Sequence, residues 1–139
     1  METVKFYSGS FEESSIVVSR VQLFLWKFLS NYNHPEWFNE VLFDIKSNIV
    51  TPIPKYFFDE DIFNLDKTRI EYAKDQIYLA INHITRMSSI DFVEYIYEDC
   101  KNLFCEILDA EIPFSKEIYE KYYIGTLYKL IELLVSASS

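Results

Sequence analysis

Apolar residues recur at helical spacing along most of this 139-residue chain, and polar breaks divide it into five predicted helices. From about Ser10 to Ser30 nearly every position is apolar, including Ile16, Val17, Val18, Val21, Leu23, Phe24, Leu25, Trp26, Phe28 and Leu29. Polar side chains return at Glu13, Arg20 and Lys27, seven residues apart, which predicts one narrow wet stripe. A helix apolar over most of its circumference belongs at the centre of a bundle. Ser10 followed by Glu13 reads as a capping box. The β-branched run Ile16-Val17-Val18 and the alternation Val21-Gln22-Leu23 leave a strand open as the alternative. Residues 3–8 also alternate like a short strand, through Val4-Lys5-Phe6.

The second helix is expected to start at His34-Pro35, with proline at its favoured first position. Trp37, Phe38, Val41, Leu42 and Ile45 form its buried stripe, and it stops near Asn48. Thr51-Pro52-Ile53-Pro54 breaks the helical pattern, because each proline restricts the residue before it. A short acidic turn, Asp59-Glu60-Asp61, follows the aromatic run Tyr56-Phe57-Phe58. Asp66 caps the third helix, which buries Ile70, Ala73, Ile77, Ala80, Ile81 and Ile84 and carries Tyr72, Leu79 and His83 on a second face. Ser115 is expected to cap the fifth helix, with Tyr123, Ile124, Leu127, Leu130, Ile131 and Leu134 inward. Gly125 lies off that stripe, and close approach of another helix is the expected reason for it. The chain should fray from Ser136 to Ser139. Short connections between five helices imply a single-domain antiparallel all-α bundle over residues 1–139.

The fourth helix, opened by Ser88 or Ser89 and running to Asp109, divides most sharply. Val93, Ile96, Tyr97, Cys100, Leu103, Phe104, Ile107 and Leu108 fall on one side of a 3.6-residue period. Asp91, Glu94, Tyr95, Glu98, Asn102, Cys105 and Asp109 fall on the other. Between Ser89 and Glu111 there are seven acids and one base, Lys101. Such a face repels itself, and a cationic partner relieves the repulsion.

Composition sharpens this picture. The formal net charge is −9, and the thirteen Lys and Arg are scattered singly. Phosphate recognition needs a basic patch, so DNA and RNA are not expected ligands. Twelve Phe suit a core, but eleven Tyr exceed what a core needs, so some are expected at an interface. Tyr95, Tyr97, Tyr119, Tyr122, Tyr123 and Tyr128 are the candidates nearest the acidic region. No continuous apolar run long enough for a signal peptide or a membrane span is present, so a cytoplasmic location is expected. Cys100 and Cys105 are turned about 140° apart on a helix and should not pair.

No catalytic or metal signature emerges. The two histidines, His34 and His83, belong to no His-Glu-x-x-His or Glu-x-x-His arrangement. Asp59, Asp61, Asn64 and Asp66 outline a calcium loop, but the sharp turn lacks glycine and Ile70 stands where a bidentate Glu is required. No nucleophile elbow or phosphate-cradling loop is present. The expectation is a non-enzyme without cofactor or metal.

Size, acidity and the interleaving of Asp91, Glu94, Tyr95 and Glu98 give the chain the general character of a known class. It resembles the small cytosolic immunity proteins of bacterial toxin–immunity systems of the contact-dependent inhibition type. The resemblance implies a cognate toxin as partner, such as a basic nuclease, blocked stoichiometrically by a monomer or homodimer. The expected partner-binding residues are Asp91, Glu94, Tyr95, Glu98, Asn102 and Asp109, with Asp59, Glu60 and Asp61 as a second patch. A non-catalytic adaptor or regulatory module, self-associating through Tyr72, Leu79, Tyr119 and Tyr122, is the alternative.

Overall fold

The computed structural model describes residues 2–49, 57–98 and 115–138. These are mostly helical, with one short antiparallel sheet. Strands β1 (Glu2–Phe6) and β2 (Gly9–Glu13) form a hairpin that sets Val4 opposite Phe11 and Phe6 opposite Gly9. Six helical elements follow among the described residues. They are α1 (Ser15–Leu29), α2 (Glu36–Ile49), the single turn α3 (Glu60–Phe63), α4 (Lys67–Ile84), α5 (Ser89–Tyr97) and α6. Helix α6 runs as α-helix over Lys116–Ile118, π-helix over Tyr119–Ile124 and α-helix again over Gly125–Ser138. No described helix is long and apolar enough to cross a membrane.

The hairpin corrects the expected start of the first helix. Ser10 and Glu13 do not form a capping box; both lie in β2. The alternation that reads Val4-Lys5-Phe6 in β1 is matched in β2 by Gly9, Phe11 and Glu13 facing inward. Strand pairing therefore satisfies the backbone there, and the helix begins only at Ser15. Glu13 still serves the helix start, because its carboxylate accepts from the Ser14 amide at 2.9 Å. The other caps follow the sequence. Asp66 accepts from the Thr68 amide, Ser88 and Asp91 form a reciprocal capping box, and Ser115 accepts from the Ile118 amide.

Helix α1 is the central element, packed against α2, α4, α5 and α6. That position overturns the expected wet stripe. Glu13 and Arg20 are buried, and the Lys27 side chain is only 12% exposed. Surrounded on all sides, these charges are answered from neighbouring elements. The Arg20 guanidinium donates to the Tyr123 hydroxyl at 2.6 Å, while Glu13 accepts from Lys129 at 3.4 Å and Thr126 at 3.5 Å. A period of seven residues marks one side of a helix, but whether that side is wet depends on what covers it. Gln22 is also fully buried, and neither of its amide atoms has a hydrogen-bond partner among the described residues.

The chain has two glycines, and neither ends a helix in the left-handed conformation. Helices commonly close on such a glycine, which satisfies the last carbonyls. Here donors from other elements take its place. His34 reaches the Leu29 carbonyl at the end of α1 through Nε2, at 2.7 Å. A carbonyl only accepts, so Nε2 carries the proton, and in the neutral ring Nδ1 accepts from the Tyr72 hydroxyl at 2.6 Å. The Tyr119 hydroxyl donates to the Ile84 carbonyl at the end of α4, at 2.6 Å, so the start of α6 meets the end of α4. Lys27 donates to the Tyr95 carbonyl near the end of α5. Helix α3 differs, because it ends on left-handed Asn64, whose amide donates to the Glu60 carbonyl at 2.8 Å, and the Tyr7 hydroxyl donates to the same carbonyl at 3.0 Å.

Glycine acts at a different place from the one expected. Among the described residues no other helix approaches Gly125; an added Cβ would meet the Glu120 carbonyl of α6 itself, at 3.9 Å. Gly9 is the position of close approach, since its Cβ would stand 2.9 Å from Leu133 Cδ2, where the hairpin rests on α6. Left-handed backbone falls instead on Tyr7, Asn64 and Leu65, with φ of 53°, 51° and 52°. The three are tied together, because the Leu65 amide donates to the Tyr7 hydroxyl at 2.9 Å.

Candidate functional site

Two buried residues one turn apart, Phe92 and Ile96, fix the rotation of α5 about its axis. Asp91, Glu94, Tyr95 and Glu98 then share the outward face at spacings of three, four and seven. With Met87 from the α4–α5 connection they line an open concavity of about 570 Å³. Asn102, Asp109, Cys100 and Cys105 lie outside the described residues, as do Pro52 and Pro54.

The three carboxylates of this concavity differ in what they already do. Asp91 accepts from the Ser88 amide in the capping box, at 3.5 Å. Glu98 pairs with Lys27 at 3.2 Å and is 72% exposed. Glu94 is exposed and takes part in no ion pair or side-chain hydrogen bond among the described residues. Tyr95 is half-buried, with the Lys27 ammonium 4.1 Å from its ring centroid and the Phe24 ring edge-on at 5.9 Å. Near neighbour His83 is exposed and stacks on Phe28 at 4.5 Å, which makes it a surface residue anchored by its ring.

The second acidic patch is organised differently. It is the start of α3, where the sequence predicts a turn. Asp59 caps α3 by accepting from the Asp61 amide at 3.0 Å. The Glu60 carboxylate accepts from the Tyr7 amide at 2.5 Å and so ties the hairpin tip to α3. Asp61 is exposed. None of the three lines the concavity on α5.

A smaller concavity of about 390 Å³ adjoins across the first turn of α5. Met87 lines both, and Thr85, Ser88, Lys116, Tyr119 and Glu120 are among its other walls. Burial first, and the Asp91 carboxylate second, push the Tyr119 hydroxyl above its ordinary pKa. Burial also raises Tyr123, against the opposing pull of its Arg20 hydrogen bond. Of the tyrosines expected at an interface, Tyr119 and Tyr123 are thus interior, while Tyr128 is exposed and Tyr122 half-buried. Tyr72, expected on a self-association face, is half-buried and bonded to His34.

Sequence reading misses two members of the site, Met87 and Lys27. Met87 carries no signal beyond its place in a helix connection. Lys27 carries one, as the last charge of the seven-residue series, but its direction depends on the packing of α5 against α1.

Among the described residues no group of three or more His, Cys, Asp and Glu side chains stands close enough to hold a metal ion. Chemically, the α5 face offers exposed negative charge around an aromatic ring and a thioether. Such a surface suits recognition of cationic side chains, whose alkyl stems need apolar walls and whose heads need acceptors. No protein-family model matches this chain, and comparisons with curated proteins and with solved structures return no match.

Proposed function

We propose that this protein is a stoichiometric inhibitor that binds a basic protein partner through the outward face of α5. The single observation that supports the reading is the concavity where Asp91, Glu94 and Glu98 surround Tyr95 and Met87. Carboxylates there accelerate encounter with a cationic partner, and the aromatic and thioether walls supply contact area at low entropic cost. A basic nuclease toxin is the partner class that fits, since carboxylates can stand where substrate phosphates would sit. The protein would then act as an immunity protein, non-catalytic and cytoplasmic, on a single-domain helical bundle of antiparallel design.

The test is inhibition by titration against a basic nuclease encoded beside it. Activity should fall linearly to an endpoint at one equivalent, and association should slow steeply as salt rises. Glu94→Lys should slow association about tenfold or more at low salt while leaving the circular dichroism spectrum unchanged. A nuclease that keeps full activity in excess inhibitor would refute the reading.

A further inference from the structure

The strongest unexplained arrangement beside this face is the position of Lys27. Its side chain comes from the central helix α1, is 12% exposed, and does not itself line the concavity. Yet its ammonium engages two of the five described residues that do. It stands 4.1 Å from the Tyr95 ring centroid, donates to the Tyr95 carbonyl, and pairs with Glu98 at 3.2 Å. A ring face, a carbonyl and a carboxylate around one ammonium make a seat for a cation. The chain fills that seat with a cation of its own.

We infer that Lys27 is a built-in competitor for the cationic side chain of the partner, so that Glu98 is spent internally and Glu94 carries the attraction. The inference rests on the proposed α5 binding face and specifies how that face is regulated. Opposite charges in contact cancel at a distance, so Glu98 adds little to the potential an approaching partner meets while Lys27 is present. Glu94, which has no such counter-charge among the described residues, contributes its full charge. A Lys27 that only propped up α5 would make no such distinction between the two glutamates.

The experiment measures binding of a fluorescein-labelled hexa-arginine peptide by anisotropy, at low and at high salt, to the full chain and its variants. Glu94→Gln should weaken binding clearly at low salt. Glu98→Gln should change it by less than about twofold, because that charge is already neutralised. Lys27→Met should tighten binding about two- to fivefold, and in the Lys27→Met background Glu98→Gln should now weaken binding about threefold or more. Lys27→Arg should behave as the native chain. All differences should collapse at high salt.

Equal effects of Glu98→Gln in the two backgrounds overturn the competitor role, as does weaker binding by a folded Lys27→Met variant. Should Lys27→Met not fold, the native background still decides. A Glu98→Gln effect as large as that of Glu94→Gln overturns the inference there. If Glu94→Gln changes nothing, the α5 binding face itself is wrong, and the inference falls with it.

Discussion

Tyr119→Phe tests whether side chains from distant elements close the helices of this glycine-poor chain. The substitution removes one oxygen and leaves the ring, which packs against Phe92 at 5.3 Å and Tyr123 at 6.4 Å. What is lost is the 2.6 Å hydrogen bond to the Ile84 carbonyl at the end of α4. A buried carbonyl left without a donor costs about 1–3 kcal/mol. That carbonyl also accepts from the Met87 amide at 3.1 Å, so it is not orphaned. The expected loss is therefore the net value of one hydrogen bond, about 1 kcal/mol, rather than the full desolvation penalty. For a chain of this length that corresponds to a fall in Tm of about 4 °C. Urea denaturation followed by circular dichroism should show a lower midpoint with an unchanged slope, since the surface exposed on unfolding is the same.

The same residue gives a second, independent readout in alkali. Burial raises the folded-state pKa of Tyr119 above the unfolded value of 10.0. Above that value the unfolded chain releases a proton that the folded chain keeps. The stability contributed by the neutral hydroxyl is thus complete below pH 10 and is lost as pH rises toward the folded pKa. Removing the hydroxyl should make the alkaline decline shallower, by at most one proton or about 1.4 kcal/mol per pH unit. A variant as stable as the native chain at neutral pH, with the same alkaline slope, would refute the capping role.

Gln22→Leu should stabilise the protein by about 1 kcal/mol or more, because it replaces a buried amide, without a partner among the described residues, with a side chain of similar volume; a lower urea midpoint would show that the amide is needed. Leu65→Gly should raise stability by about 1 kcal/mol, since Leu65 is 63% exposed and its φ of 52° strains any residue with a Cβ; thermal denaturation decides, and a drop in Tm would mean that the leucine side chain is held in place by packing. Asp91→Ala should cost about 1 kcal/mol by opening the capping box of α5, whereas Glu94→Ala should leave stability unchanged. Parallel urea curves for these two variants separate the structural acid from the exposed one, and equal midpoints would contradict the distinction.

Local chemistry made much of this fold legible. Asp66, Ser88 and Ser115 announced their helices because a cap is a contact within one turn, between a side-chain oxygen and an amide two or three residues ahead. The outward set Asp91, Glu94, Tyr95 and Glu98 was legible for the same reason, since spacing along one helix decides which residues share a face. The start of the first helix was not. Ser10 and Glu13 satisfy a capping pattern, but residues 2–6 immediately before them offer a partner strand, and a capping pattern read along one segment does not register the strand that pairs with it.

What the sequence by itself determined, then, is periodicity: which stretches are helical, where they are capped, and which side of each is charged. Tertiary structure alone decided what each side meets. It buried Arg20 on the enclosed helix α1 and Glu13 at the end of β2 against α6, both of which the pattern places in water, and neighbouring elements supply Tyr123, Thr126 and Lys129 as partners. It likewise graded three similar carboxylates along α5 into one spent on a cap, one spent on Lys27 and one with no ion pair or side-chain hydrogen bond among the described residues. Charge is a property of the residue, but its availability depends on the distance to every other charge, and that distance is fixed only when the helices pack.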